Sequence, residues 1–495
     1  MRRIVGALVG VVACVVGCTD SVELGPLFQQ NADVGPVGRE GSVSFDAGRD
    51  TYTVSGSGAN IWGTEDAFHF VWTPVAGDLR MTARVSFTEE EGDPHRKAGW
   101  MVRESGDADA AYVDVAVHAD GLIALQFRRV TGGPTEEVRA ITTGAAQAVL
   151  ERTADVFSLS VMDSRGEVEP VGAVRVALPA TALAGLFVSS HQDGRLATAE
   201  FSGVSLDAVP AGPDQERVTE STLETIDIET GRRAVVYRAV AHFEAPNWSR
   251  DGGHFLFNQS GRIFRLPVEG GDPIMIDTGD ADRCNNDHGL SPDGSLLAIS
   301  HSPAGRSLIY VLPAEGGTPR LVTEQGPSYW HGWSPDGKTL AYCAERNGEY
   351  DIYTIPVSGG RETRLTDAPG LDDGPDYSPD GRYIYFNSVR TGLMKIWRMT
   401  PEGKDQEQVT TDSDWADWFP HPSPDGRYLV FLSYDKSVEG HPPNREVVLR
   451  LMDLEEGGEP RIIARLFGGQ GTLNVPSWSP DSRQFSFVSY RQVPK

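Results

Sequence analysis

Between Gly41 and about Asp207, apolar and polar positions alternate in short runs. Met81-Thr82-Ala83-Arg84-Val85-Ser86-Phe87, Ala111-Tyr112-Val113-Asp114-Val115-Ala116-Val117 and Leu122-Ile123-Ala124-Leu125-Gln126-Phe127 keep a period near two. Alternation rich in β-branched residues predicts half-buried strands with one face on a core. No long run here keeps the period of an amphipathic helix. Many short strands over this length predict a two-sheet sandwich.

From about Val218 the pattern becomes periodic on a longer scale. Ser-Pro-Asp-Gly, or a close variant, returns with its serine at Ser249, Ser291, Ser334, Ser378, Ser423 and Ser479, at spacings of 42, 43, 44, 45 and 56 residues. A repeat in the forties flanked by strand-like runs predicts propeller blades. In such a turn proline presets φ, aspartate closes the loop with its side chain, and glycine accepts positive φ. An apolar strand follows in most copies, as in Leu296–Ile299, Leu340–Tyr342, Tyr383–Phe386 and Tyr428–Phe431. A third strand such as Asp351–Ile355 or Lys395–Met399 comes next, and a second turn such as Glu315-Gly316-Gly317 usually closes it. Each repeat therefore reads as a four-stranded blade. After Ser479 only Gln484–Val488 remains, whereas Leu223–Val236 supplies a spare strand–turn–strand before the first repeat. Joining the two predicts six blades closed by strand exchange, which removes exposed sheet edges.

The expected organisation is all-β. Residues 1–18 read as a signal peptide, 19–40 as a polar tether, 41–207 as a jelly-roll β-sandwich, 208–217 as a Pro- and Gly-containing linker, and 218–495 as the six-bladed β-propeller. Arg2 and Arg3 form a positive n-region, and Ile4–Val16 is an apolar h-region too short to span a bilayer comfortably. Val15-Val16-Gly17-Cys18 resembles a bacterial lipobox, which implies cleavage before Cys18, lipidation of its thiol and export to the cell envelope. An ordinary secretory signal with a chance cysteine is the other reading. Cys14 would leave with the signal; Cys284 and Cys343 remain, free either to pair or to serve as small buried hydrophobes.

Two resemblances carry the fold expectations further. Gly56–Val85 (GSGANIWGTEDAFHFVWTPVAGDLRMTARV), Lys97–Glu104 and Gly185–Val204 resemble a concanavalin-like jelly-roll module, which implies association with carbohydrate. Trp62, Phe68, His69, Trp72, Trp100 and His191 fit sugar stacking, and equally fit sheet packing. Pro246-Asn247-Trp248-Ser249-Arg250-Asp251-Gly252 and Pro476-Ser477-Trp478-Ser479-Pro480-Asp481-Ser482 resemble the P-x-W-S-P-D-G repeat of TolB-type propellers, with one departure each. That resemblance implies protein–protein contacts in the envelope. It is specific for fold rather than function, because propellers host binding proteins, peptidase accessory domains and lyases.

Charge narrows the partners. The formal net charge is −26 and the isoelectric point about 4.8. An acidic surface without a basic stripe repels phosphate backbones, so no nucleic-acid partner is expected. The only membrane association expected is through the lipid anchor.

Candidate chemistry gathers just before the repeat serines. Three residues before the serine stand Pro246, Pro375, Pro420 and Pro476, but His288 and His331 in the second and third repeats; His421 lies two before. The strand at these positions runs along a propeller's channel, so they crowd one mouth of the ring. The expected ligand-binding set is Asn286, Asp287, His288, Trp330, His331, Asp373, Trp418, His421, Gln470 and Asn474. Histidines among carboxylates can hold a divalent metal, here through His288, His331 and His421, or supply acid–base groups near neutral pH. Oligogalacturonate lyases are similar in architecture, with a histidine-rich metal site on a seven-bladed propeller. Polar channel lining without chemistry is the competing reading. The longest spacing holds the insertion Tyr434–Asn444, a candidate lid or docking loop; its His441 lies farther from the repeat core. No G-x-S-x-G elbow, phosphate loop, Rossmann fingerprint or H-E-x-x-H motif is present. The expected role is a non-catalytic envelope protein binding a glycan or an envelope protein, with a metal-dependent polysaccharide lyase as the rival.

Overall fold

The computed structural model describes residues 24–141, 147–162, 166, 168–209 and 216–495. The signal peptide, Cys14 and Cys18 lie outside the described residues. Among the described residues no helix is long and apolar enough to cross a membrane.

The alternating region forms two seven-stranded antiparallel sheets. The first runs in the order Gln30–Val34, Phe68–Ala76, Thr181–Ser189, Lys97–Arg103, Tyr112–His118, Ile123–Arg128, Thr135–Arg139. The second runs Val168–Arg175, Val156–Met162, Gln147–Thr153, Asp78–Phe87, Gln192–Val209, Thr51–Gly58, Ser42–Asp46. Period-two alternation puts Trp100, Val115 and Leu125 of the first sheet into one core with Val54, Leu150 and Phe201 of the second. Each large side chain taken fully out of water there contributes about 1.5–3 kcal/mol.

The other face of the first sheet buries charge. Asp66 accepts bonds from Arg128 at 2.7 and 2.8 Å and from Arg103 at 3.4 Å, and all three side chains are 0% exposed. Arg128 also donates to the carbonyls of Gly63, Ala110 and Gly133, which pins the chain around Gly63 against the sheet.

One expectation needs correction. Residues 19–40 are not a tether throughout, because Gln30–Val34 pairs along Phe68–Trp72 as an edge strand. Phe28 and Val34 are buried, and Asp33 Oδ1 lies 2.8 Å from His69 Nδ1. The run QNADV lacks apolar alternation, so its partner strand alone fixes it. The linker is also shorter than expected, since strands reach Val209 and resume at Arg217.

The periodic region is a six-bladed propeller. Five blades are four-stranded sheets in sequence order, their first strands being Phe243–Trp248, Cys284–Leu290, Ser328–Trp333, Asp372–Tyr377 and Trp415–Pro422. The sixth joins the two ends of the region: Arg217–Asp227 pairs with Gln484–Pro494 on one side and Arg233–Ala239 on the other, and Trp478 bridges to Phe485. Strand exchange closes the ring as the spare strands predict.

The repeated turn is built identically around the ring. In the third blade Ser334 Oγ donates to Asp336 Oδ1 at 2.7 Å and accepts from the amide of Thr339, while Asp336 Oδ1 accepts from the amide of Lys338. Gly337 takes φ +70°; Ser482 alone adopts this conformation without glycine, at φ +62°. The turns also seam neighbouring blades: Pro292, Pro335 and Pro379 each pack beside the turn glycine of the next blade (Gly337, Gly381 and Gly426). The recurrence of the motif thus serves two contacts, one within the blade and one across the seam.

The sandwich rests on the propeller through ion pairs. Arg129 grips Glu446 with two bonds, at 2.7 and 3.0 Å, Arg217 reaches Asp78 at 2.8 Å, and Arg491 reaches Glu151 at 2.7 Å.

Candidate functional site

Every first strand of the five complete blades breaks register near its middle, for example between Trp330 and Gly332 and between Asp373 and Asp376. Proline before the turn explains three of the breaks: it has no N–H for the ladder, and the preceding Ala245, Gly374 and Phe419 take positive φ of 59°, 61° and 54°. In the second and third blades histidine replaces that proline. Proline can only bend the strand there, whereas histidine adds a titratable side chain.

The start of these strands surrounds a cavity of about 420 Å³. Of the expected set, Asn286, Asp287, His331, Asp373, Gln470 and Asn474 line it. At its centre His331 Nε2 lies 3.1 Å from Asp373 Oδ1, and Asp373 Oδ2 is 4.0 Å from His441 Nε2. One carboxylate thus stands between two imidazoles. Burial opposes the charged form of His331, but the Asp373 carboxylate outweighs it and raises the imidazole pKa. Burial likewise opposes ionisation of Asp373, but the His331 contact outweighs it and holds the carboxyl below its ordinary value. The result is a buried ion pair.

Asp287 has the opposite electrostatics. Burial pushes its pKa up to about 7, against His331 and a 2.6 Å bond from Asn285 Nδ2, with Asp373 adding like-charge repulsion. Asn474 is 1% exposed and uses its Oδ1 for the amide of Gly471, while its Nδ2 has no partner among the described residues.

Four expected residues lie elsewhere. His288, at the same repeat position as His331, is enclosed by protein, and burial pulls its imidazole down to about 4, so it is neutral at pH 7. His421 is spent on structure: its Nδ1 lies 3.0 Å from Asp376 and its Nε2 3.3 Å from the carbonyl of Leu473. Trp330 and Trp418 are 1% and 2% exposed and pack in blade cores. The expected triad of His288, His331 and His421 therefore does not converge on the cavity. Among the described residues no group of three or more histidine, cysteine, aspartate or glutamate side chains is arranged to hold a metal ion. Cys284 and Cys343 are both buried and free, and Cys343 lines the cavity.

Of the lining residues outside the expected set, Asn285, Tyr329 and Phe419 lie on first strands, whereas Tyr350 and His441 come from beyond them. Tyr350 enters from the hairpin joining the next two strands of the third blade. His441 comes from the insertion, which folds back so that its Nδ1 meets Gln470 Oε1 and its ring packs edge-on against Trp418, with centroids 4.4 Å apart. The length of the insertion was the available signal; the placement of His441 was not.

The comparisons agree with this architecture. Residues 325–442 match the TolB beta propeller domain family. An uncharacterized protein of Agrobacterium fabrum (strain C58) is 53% identical over 275 residues, covering 55% of this chain and 93% of the relative. A solved TolB-like structure from Agrobacterium tumefaciens is 52% identical, covers 56% of this chain and 99% of its own, and superposes with a TM-score of 0.54. TolB from Acinetobacter baumannii is 16% identical over 63% of this chain and 80% of its own, with a TM-score of 0.40. With the six blades, the repeated turn and a relative matched over nearly its whole length, the chain belongs to the TolB-like β-propeller family.

Proposed function

We propose that this is a binding protein of the bacterial cell envelope. It takes a polar ligand, a glycan or a segment of an envelope protein, at the cavity of the propeller mouth. The observation that carries this reading is a buried polar wall left partly unpaired. Among the described residues the Nδ2 of Asn474 lacks a partner, and Asp287, held at a pKa of about 7, has Asn285 alone as a side-chain donor. Buried polar groups are normally satisfied, so such a wall suits a ligand that completes it. In this proposal Cys18 carries the lipid anchor, and the N-terminal sandwich is a concanavalin-like jelly roll that adds a carbohydrate contact.

One observation favours a second reading, a glycan-active enzyme. Asp287, poised near neutrality beside the His331–Asp373 pair, has the character of a proton-transfer group. This reading rests on acid–base side chains rather than on a metal held by His288, His331 and His421.

Glycan arrays and envelope pull-downs with the mature protein, beside an Asn474→Ala/Asp373→Asn variant, test both. The binding reading expects a ligand captured by the wild type, lost by the variant and recovered intact. Recovery of cleaved glycan would move the assignment to the enzyme. Equal capture by both proteins would contradict a role for the mouth.

A further inference from the structure

The opposite end of the channel holds a second, differently built well of about 250 Å³, framed by the repeated turns. Its wall includes the tryptophans just before the turn serines, Trp248, Trp333 and Trp478. Its rim includes the turn prolines Pro292, Pro335, Pro379 and Pro424. These are flat, rigid and apolar surfaces. Polar groups interrupt them at Asp376, Ser378, Ser423 and Arg250, and Arg250, the cation among these, occupies in the first turn the position held by proline in the other five.

Arg250 is a cation with no hydrogen-bonded or ion-paired partner among the described residues, and its electrostatic neighbour is Asp376. Asp376 is already engaged, with its Oδ2 3.0 Å from His421 Nδ1. The guanidinium is open to the well yet ringed by protein, and the desolvation lowers its pKa. The indole N–H groups of Trp248, Trp333 and Trp478 donate to the carbonyls of Gly252, Gly289 and His421, so these three rings are fixed in the wall.

We propose that this well binds a small organic carboxylate with a flat apolar body, its carboxylate on Arg250 and its body against the indoles and prolines. A guanidinium fork matches the two oxygens of a carboxylate and gives a charge-assisted bond. One cation beside Asp376 suits a single negative charge better than the double charge of a phosphate. The volume is below the roughly 300–1,000 Å³ of drug-sized ligand sites, so one small molecule fits and a folded segment does not. The site is independent of the mouth, which lies at the other end of the same strands.

The test uses phenylacetate and its neutral isostere phenylacetamide, titrated into the purified protein and followed by heat and tryptophan fluorescence. Phenylacetate is expected to bind at least about tenfold more tightly than the amide. Arg250→Pro restores the residue of the other five turns, so it is expected to retain the melting temperature and lose phenylacetate at least about tenfold. Arg250→Gln, which keeps the turn free of proline's constraint, is expected to show the same loss, and Asp373→Asn at the mouth is expected to bind as the wild type does. Equal binding of acid and amide, undiminished binding by Arg250→Pro and Arg250→Gln, or no binding of phenylacetate at millimolar concentration would each overturn the proposal.

Discussion

The sandwich and the propeller mouth each bury a cluster of charge, and they do so to different ends. In the sandwich, Asp66 meets Arg103 and Arg128, all fully enclosed, and Arg128 spends its remaining donors on backbone carbonyls. At the mouth, Asp287 faces His331 and Asp373 across a cavity whose wall keeps an unpaired amide. The first arrangement is closed and fixes a loop on a sheet. The second is open and leaves hydrogen-bonding capacity for something that is not part of the chain. Burial of charge does not itself mark a site; what distinguishes the mouth is that its unpaired group stands in the wall of a cavity.

The comparison is broken most forcefully in the sandwich. Arg128→Ala leaves the Asp66 carboxylate with a single long contact and should cost about 3–5 kcal/mol in denaturant unfolding. A loss below about 1 kcal/mol would mean the cluster is not architectural.

A smaller effect is expected at the mouth. Asp373→Asn removes the charge that raises the His331 pKa, so the His331 imidazole should titrate lower by NMR, with a stability loss of about 1–2 kcal/mol. The sign fixes the pH window. A raised folded pKa gives stability that is full below the ordinary histidine value and is lost as pH rises through the raised one. The variant's deficit should therefore shrink on going from pH 5 to pH 9. A deficit that grew instead would show that the pair is not ionised as described.

The smallest effect belongs to the seam between the two regions. Arg129 and Glu446 are 35% and 21% exposed, so solvent screens their bonds, and Arg129→Ala should cost less than about 1 kcal/mol. A larger loss would show that sandwich and propeller unfold as one unit.

How far the sequence reached follows from what each signal encodes. The turn motif reports a local conformation, so the blades were legible from its spacing, and their number and closure from that spacing with the spare strands before the first repeat. Half of the mouth was legible for the same reason, because Asp287, His331 and Asp373 stand three to five residues before their serines, on the first strands. The same offset misled at His288: equal repeat positions have unequal neighbours, and the bulge in each first strand sets which side chain turns outward. His421, two residues before its serine, was drawn into the ring wall by Asp376 of the neighbouring blade. His441 and Tyr350 were hidden because their approach depends on how an insertion and a hairpin fold back. The edge strand Gln30–Val34 carries no alternation and owes its conformation to its partner.

Asp287 offers the most direct test of the contrast between a closed cluster and an open one. Burial raises its pKa to about 7 from an ordinary value of 3.8, so folding is opposed by its ionisation as pH rises through that window. Asp287→Asn removes the buried charge. Unfolding free energies of variant and wild type, measured from pH 4 to pH 8.5, should be close at the acid end. They should diverge until the variant is the more stable by about 2–4 kcal/mol at the alkaline end. A carboxylate retained at the expense of stability is what a ligand-binding mouth requires. A variant less stable than wild type across the whole range would instead make Asp287 a structural residue, like Asp66, and would contradict the assignment of the mouth as the site.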